Sequence, residues 1–253
     1  MNLSGNTILI SGGVTGIGRG LAEALHALGN QVIIAGRRKQ PLDEATTANS
    51  GMKSLQLDIE NPAAIRSFAA QAAVEFPKLN VLVNNAGIMR AETLLAQQAA
   101  LTDAEAMVTT NLLGPIRLTA ALLSHLQKQP ASAIVNVSSG LAFVPLALTP
   151  TYCATKAAIH SYTKSLRYQL RGTNTEVLEL IPPYVATDLM GGASDPRAMP
   201  LNKFIAEVME ILKANPTPAE IIVENAKGLR FASQSGKYEA VFQGLNASMA
   251  DIQ

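Results

Sequence analysis

Two residues four positions apart, Tyr152 and Lys156, have the types and spacing that proton transfer requires. A helix is predicted from about Thr151, so the two side chains share one helical face. A phenol has an ordinary pKa of about 10, and a nearby ammonium stabilises the phenolate and lowers that value. The pair is therefore predicted to act as a general acid or base near neutral pH, although Y-x-x-x-K alone is more often a surface pair.

A hydroxyl upstream of this pair could hold a substrate oxygen while negative charge builds on it. Ser139 lies thirteen residues before Tyr152, far enough for a strand end and a returning loop, and we prefer it to Ser138. His160, four residues after Lys156, is interpreted as a packed residue, with a subunit interface as the alternative.

A glycine-rich turn follows the first predicted strand, TILIS, in the pattern G-x-x-x-G-x-G. Glycines let backbone approach a pyrophosphate, and the N-terminus of the following helix attracts its charge. A purely structural turn is the alternative reading. The turn residues predicted to contact a dinucleotide are Gly12, Thr15, Gly16, Ile17 and Gly18.

The second predicted strand ends in bases and not in an acid, at Arg37, Arg38 and Lys39. Because NAD sites usually place an acid there, whereas a 2′-phosphate requires cations, NADP(H) is favoured over NAD. A solvated basic helix start is the alternative. Asp58 and Ile59, after the third strand, are predicted near the adenine, although Asp58 could instead begin a turn.

Short apolar runs alternate with segments of helical period, which predicts an α/β, Rossmann-type, doubly wound parallel sheet in one domain, 1–253. The strands are expected at 7–11, 31–35, 54–57, 81–84, 133–137 and 176–180. The helices are expected at 16–29, 39–49, 62–75, 102–127, 151–171 and 201–214. The segment 186–200 is expected to be a mobile loop, and 186–215 a substrate lid within the domain.

The composition limits the class of molecule that the protein is expected to bind. Of 253 residues, 48% are apolar and 15% charged, and the net charge of +1 does not favour nucleic acid. One cysteine and three scattered histidines predict no disulfide framework and no metal site. No signal peptide or long apolar span is read, so a small-molecule partner, no membrane partner and a cytoplasmic location are expected.

Six segments, in this order and spacing, resemble the single-domain short-chain dehydrogenases/reductases: SGGVTGIG, NNAG, TTN, VNVSS, YCATK and PPYVAT. The resemblance covers about residues 6–190. It implies that Tyr152 is the acid/base and that Lys156 assists it and binds the nicotinamide ribose. It further implies that Ser139 positions a carbonyl and that Asn111 holds a proton-relay water.

The resemblance also implies further cofactor contacts and a homodimer or homotetramer formed through the helices at 102–127 and 151–171. The additional contact residues are Asn85, Ala86, Gly87, Pro182, Val185 and Thr187. KQPASAIVNVSSGLAFVPLALTPTYCATKAAIHS and FPKLNVLVNNAGI are similar to the DltE-like branch. Pro183 stands where the family usually has glycine, and the usual glycine-rich C-terminal signature is missing.

These features predict an NADP(H)-dependent oxidoreductase that interconverts a ketone or aldehyde and an alcohol. Apolar residues around 140–148, 88–89 and 190–199 favour an uncharged or lipophilic substrate, and Arg90 leaves room for an acidic tail. The alternative is a non-catalytic NAD(P)-sensing or scaffold protein, expected to lack Tyr152 or Lys156. An epimerase or dehydratase would need more sequence after Thr187.

Overall fold

The computed structural model describes residues 2–94 and 101–249. Its strands are β1 (Thr7–Ser11), β2 (Gln31–Gly36), β3 (Lys53–Gln56), β4 (Leu79–Asn84), β5 (Ser132–Val137), β6 (Thr175–Ile181) and β7 (Glu220–Ile222). They form one sheet in the order β3-β2-β1-β4-β5-β6-β7, and each pair of neighbours is parallel.

Nine α-helices connect or follow these strands in the described residues. They are α1 (Gly16–Ala27), α2 (Lys39–Ala48), α3 (Pro62–Glu75), α4 (Thr102–Val108), α5 (Gly114–Leu126), α6 (Pro150–Gln169), α7 (Leu201–Ala214), α8 (Glu224–Arg230) and α9 (Tyr238–Ser248). A π-helical turn, Thr109–Leu113, joins α4 to α5.

The central strands are apolar on both faces, and each face buries its own core. In β1, Ile8 and Ile10 belong to the core that also contains Phe204 of α7, whereas Leu9 belongs to the core that contains Leu118 of α5. This alternation follows from the two-residue period of a strand, with helices covering both sides. The prediction of a single-domain, doubly wound α/β fold is confirmed.

The chain changes direction across the sheet at β1, because β2 and β3 lie on one side of it and β4 on the other. In open α/β sheets, ligands bind beyond the carboxyl ends of the strands at such a switch point. The glycine turn follows β1, and the NNAG segment follows β4. The fold therefore brings these two segments to the same crevice.

The structure differs from the predictions mainly near the C-terminus. The segment expected to be a loop over 186–200 contains a short helical stretch, Leu189–Ser194, and a bridge pairs Val185 with Met199. Helix α7, placed by the lid prediction inside 186–215, buries Phe204 and Val208 in the core. Strand β7 and helices α8 and α9 were not predicted.

The continuous helical segment Thr102–Leu126 is long and apolar enough, by length and composition, to cross a membrane. Its most apolar window has a mean hydropathy of 1.3, and 44% of that window is buried within the protein. Leu118, Leu122 and Leu126 are fully buried against the sheet. A core helix has the same properties, so this segment alone is weak evidence for a membrane span.

Candidate active site

The glycine turn is packed too tightly for side chains. A Cβ atom on Gly18 would lie 2.2 Å from the carbonyl oxygen of Gly12 and 2.3 Å from Nδ2 of Asn85. Gly12 has a φ of +66°, and a Cβ there would lie 2.8 Å from the Cα of Ala86. Glycine is therefore required where the turn meets the segment after β4.

Polar contacts fix the turn against that segment. Nδ2 of Asn85 donates to the carbonyl oxygens of Ser11 and Gly12, each at 3.1 Å. The hydroxyl of Ser11 in turn accepts from the backbone N–H groups of Asn85 and Ala86. These bonds hold the floor of the crevice rigid.

A cavity of about 530 Å³ opens above this floor and extends to the catalytic candidates. The N-terminus of α1 points into it, and Thr15, its N-cap residue, makes no capping bond through its side chain. Free N–H groups and the helix dipole suit a pyrophosphate at this position. The predicted residues that line the cavity are Gly12, Thr15, Gly16, Ile17, Gly18, Arg38, Asn85, Ala86, Gly87, Ser139, Tyr152, Lys156, Pro182, Val185 and Thr187.

Four predicted residues do not line this cavity. Arg37 is directed to Glu60, with Nη1 at 3.2 Å from Oε1, and its side chain is 57% exposed. Asp58 is exposed and accepts from the N–H of Glu60, as expected for the alternative turn. Ile59 is buried in the core, and Asn111 lies behind the cavity wall. Cofactor contacts for Arg37, Asp58 and Ile59 stay predictions.

The two basic residues after β2 thus have different surroundings. Arg38 lines the cavity, whereas Arg37 pairs with a carboxylate outside its lining. A guanidinium is the side chain best suited to a phosphate monoester. The residues present therefore fit an adenine dinucleotide with a 2′-phosphate, and Arg38 is the better placed of the two.

Tyr152 and Lys156 lie one turn apart on α6, and both are buried. Nζ of Lys156 lies 5.6 Å from the centre of the Tyr152 ring and donates to the carbonyl oxygen of Val137 at 2.9 Å. The side chain of Ser139 interacts with the phenol, and its Oγ accepts from the N–H of Leu141 at 3.1 Å. Ser139, and not Ser138, is thus brought to Tyr152.

The pKa of Tyr152 departs from the sequence-based expectation. Burial raises the pKa of the phenol well above its ordinary value, and the interaction with Ser139 offsets only part of that rise. Burial also lowers the pKa of Lys156 to about 8. Desolvation is the dominant effect on the phenol, so the lowering that the sequence predicted is not seen in this structure.

Asn111 lies in the π-helical turn between α4 and α5, and such turns occur frequently at functional sites. Its Oδ1 accepts from the N–H of Ile88, and its Nδ2 donates to the carbonyl oxygen of Ile88, both at 2.8 Å. Nδ2 also reaches Oγ1 of Thr155 at 3.3 Å. Asn111 thus links the segment after β4 to α6 beside the reactive pair.

The far half of the cavity is apolar. The loop 140–148, Ile88 and Met89 contribute to it, as expected, together with Leu189 and Met190. Leu229 of α8, and Leu245 and Met249 at α9, complete this wall and were missed by the sequence analysis. In the sequence, only the four-residue spacing of Leu245 and Met249 indicates that they share a helical face.

Hydrogen bonds of Asn246 connect this wall to the loop 140–148. Oδ1 of Asn246 accepts from the N–H of Ala147 at 2.6 Å, and its Nδ2 donates to the carbonyl oxygen of Pro145 at 3.3 Å. Helix α9 is therefore attached to the loop that carries the apolar lining.

Comparisons with known proteins agree with this geometry. A family model for short chain dehydrogenases matches residues 6–198. The oxidoreductase DltE of Bacillus subtilis (strain 168) is 39% identical over 251 residues, which covers 97% of this chain and 98% of that protein. The NADP-dependent 3-hydroxy acid dehydrogenase YdfG of Shigella flexneri is 32% identical over 179 residues, 70% of this chain and 72% of that protein.

Among solved structures, a short chain dehydrogenase from Burkholderia cenocepacia J2315 in complex with NADP has a TM-score of 0.81 at 23% identity. The match covers 97% of this chain and 99% of that one, and it shows a shared fold. The family match extends over most of the chain and includes the glycine turn, Tyr152 and Lys156. The protein belongs to the short-chain dehydrogenases, and the DltE-like oxidoreductases are among its relatives.

Proposed function

We propose that the protein is an NADP(H)-dependent carbonyl reductase for uncharged, largely apolar ketones or aldehydes. One observation carries the proposal: Tyr152, Lys156 and Ser139 line the same cavity as the glycine turn and Arg38. A bound nicotinamide nucleotide would supply the hydride. The glycine turn and α1 would hold its pyrophosphate, and Arg38 its 2′-phosphate.

Side chains of the protein bind the substrate oxygen and supply its proton. The Ser139 hydroxyl donates to that oxygen and fixes the carbonyl, and Tyr152 gives its proton to the oxygen as negative charge develops there. Lys156 is placed to stabilise the phenolate that results, and Asn111 keeps the Ile88 segment and α6 in register. Burial favours the neutral phenol, which is the protonation state from which Tyr152 would donate in the reductive direction.

The shape of the cavity supports the substrate class. Its lining includes the leucine, isoleucine and methionine side chains described above, and Arg90 is one of its cations. An apolar carbonyl compound buries its chain there without leaving a polar group unpaired. We further propose that the protein acts in the cytoplasm.

A substrate screen with a tyrosine variant tests the function. Aldehydes and ketones are incubated with NADPH, and its oxidation is followed by absorbance. Tyr152→Phe should bind NADPH with nearly unchanged affinity but lose at least about 100-fold in kcat, because the proton donor is missing. Tyr168→Phe, the same change at an exposed position of α6, is the matched control and should be fully active.

The same experiment separates catalysis from the alternative of a nucleotide-sensing or scaffold protein. Such a protein would bind NADPH and turn over none of the compounds. Unaltered turnover in Tyr152→Phe, with a verified substrate, would refute the mechanism.

A further inference from the structure

A buried carboxylate lies directly behind the strand end that carries Ser139. Glu179 of β6 is fully buried, and its Oε1 accepts a hydrogen bond from the hydroxyl of Ser138 at 2.6 Å. Nδ1 of His160 lies 3.0 and 2.9 Å from the two oxygens of the same carboxylate. A buried acid is costly unless it is hydrogen-bonded, and the proposed proton transfer makes no use of this one.

These contacts continue the pattern of α6. Tyr152, Lys156 and His160 follow one another at four-residue spacing, so they lie along one face of the helix. Tyr152 interacts with Ser139, Lys156 binds the carbonyl oxygen of Val137, and His160 reaches the residue between them through Glu179. The three successive residues 137–139 are thus each held from the same helix.

A cation site is the rival explanation for this cluster. Ligand atoms of His160, Glu179 and Glu220 lie within 4.8 Å of one another. However, Nε and Nη2 of Arg230 each bind an oxygen of Glu220 at 2.8 Å, and the Glu179 oxygens are taken by Ser138 and His160. Each carboxylate oxygen of the cluster thus has a hydrogen-bond partner within the protein, and none is left free for an ion.

We infer that Glu179 and His160 are positioning residues for the Ser139 hydroxyl, an inference that rests on the proposed function. The N–H of Ser138 binds the carbonyl oxygen of Leu180, and its side chain binds Glu179, so the residue is held on both sides. With Ser138 fixed, the backbone that orients Ser139 is fixed too. A displacement of about 1 Å at a reacting group is enough to lower turnover substantially.

Ser138→Ala and Glu179→Gln test the inference. Each should lower kcat about tenfold while leaving the KM for NADPH within about twofold, because the cofactor half of the cavity is untouched. Ser165→Ala is the control: it deletes a surface hydroxyl on the same helix, α6, and should keep full kcat. Ser138→Ala removes only one oxygen atom, so it decides the question even if Glu179→Gln does not fold.

A double-mutant cycle separates positioning from a general loss of structure. In a Ser139→Ala background, Ser138→Ala and Glu179→Gln should cause little further loss, because the group that they position is already missing. A loss that multiplies in that background, or wild-type kcat in Ser138→Ala, would overturn the inference. Failure of the proposed function is distinct, because it appears as no turnover of any compound by the wild type or as full turnover in Tyr152→Phe.

Discussion

Nζ of Lys156 lies 5.6 Å from the centre of the Tyr152 ring, and both side chains are buried on one face of α6. Burial lowers the pKa of the lysine to about 8 while it raises the pKa of the tyrosine. The two shifts have one cause, since desolvation disfavours the charged form of each group. The pair is therefore built to favour a neutral phenol.

The lysine makes stability depend on pH. Its pKa is about 8 in the folded protein against 10.5 ordinarily, so the unfolded chain holds more protons between these values and stability rises with pH. From pH 7.5 to 9.5, urea denaturation of the cofactor-free protein should show a gain on the order of 2 kcal/mol that Lys156→Met lacks. Lys164→Met, exposed on the same helix, should keep the wild-type profile. Parallel profiles for wild type and Lys156→Met would contradict the assignment.

Cofactor preference should depend on Arg38 more than on Arg37. Arg38→Ala removes the guanidinium that lines the cavity, so it should weaken NADPH binding at least about tenfold and leave NADH nearly unchanged. Arg37→Ala is the comparison variant and should weaken NADPH binding less than Arg38→Ala, because Arg37 pairs with Glu60. Fluorescence titration of both nucleotides measures the effect, and an equal loss for NADPH and NADH in Arg38→Ala would refute the 2′-phosphate assignment.

Gly18→Ala should disable dinucleotide binding. The added Cβ would meet the backbone oxygen of Gly12 at 2.2 Å, so the turn must move, at a cost of about 1–3 kcal/mol or more. NADPH affinity should fall at least about tenfold, and the melting temperature should decrease. Gly244→Ala in α9, where a Cβ meets nothing within 4 Å, controls for the substitution and should bind NADPH normally. Wild-type affinity in Gly18→Ala would show that the turn is not part of the site.

Asn246→Ala should loosen the substrate half of the cavity alone. The variant loses the bonds that join α9 to Ala147 and Pro145, so KM for apolar carbonyl substrates should rise several-fold. NADPH affinity should not change. Gln243→Ala, which removes a side chain bonded to Glu239 on the same helix, is the control for both constants. Unchanged KM values over a series of chain lengths would show that α9 does not shape the pocket.

A homodimer or homotetramer is expected to form through the helices of 102–126 and α6. Tyr168 of α6 is 66% exposed and is available for such a contact. Sedimentation velocity at micromolar concentration should show an assembled species, and Tyr168→Asp should shift it toward the monomer if the ring is buried between subunits. A single monomeric species for the wild type would contradict this expectation.

Much of the fold could be predicted because its signals are strong. Apolar strand runs and helices of ten residues or more allow β1–β6 and most helices to be predicted to within about two residues, although β3 is largely polar. Strand β7 has three residues and α8 seven, too few to show a period, and α9 buries none of its residues. The C-terminal wall of the cavity was therefore missed.

The chemistry of single residues was harder to predict than their positions. Glu179 occupies a strand position where an acid is usually read as solvent-exposed, yet α6 covers it. The pKa of Tyr152 depends on burial in a cluster to which Met107, Ile88 and Leu245 contribute from distant parts of the sequence. Both effects arise from tertiary contacts, and spacing alone does not encode them.

Two kinds of structure form the cavity. The hydroxyls of Ser139 and Tyr152 and the ammonium of Lys156 lie at the end of a strand and on α6, whereas the apolar wall is formed by loops, α8 and α9. Exchanging α8 and α9 for those of a relative should thus change the substrate range while leaving the proposed reduction intact. In such an arrangement, substrate selectivity changes while the groups proposed to carry out the reaction stay the same.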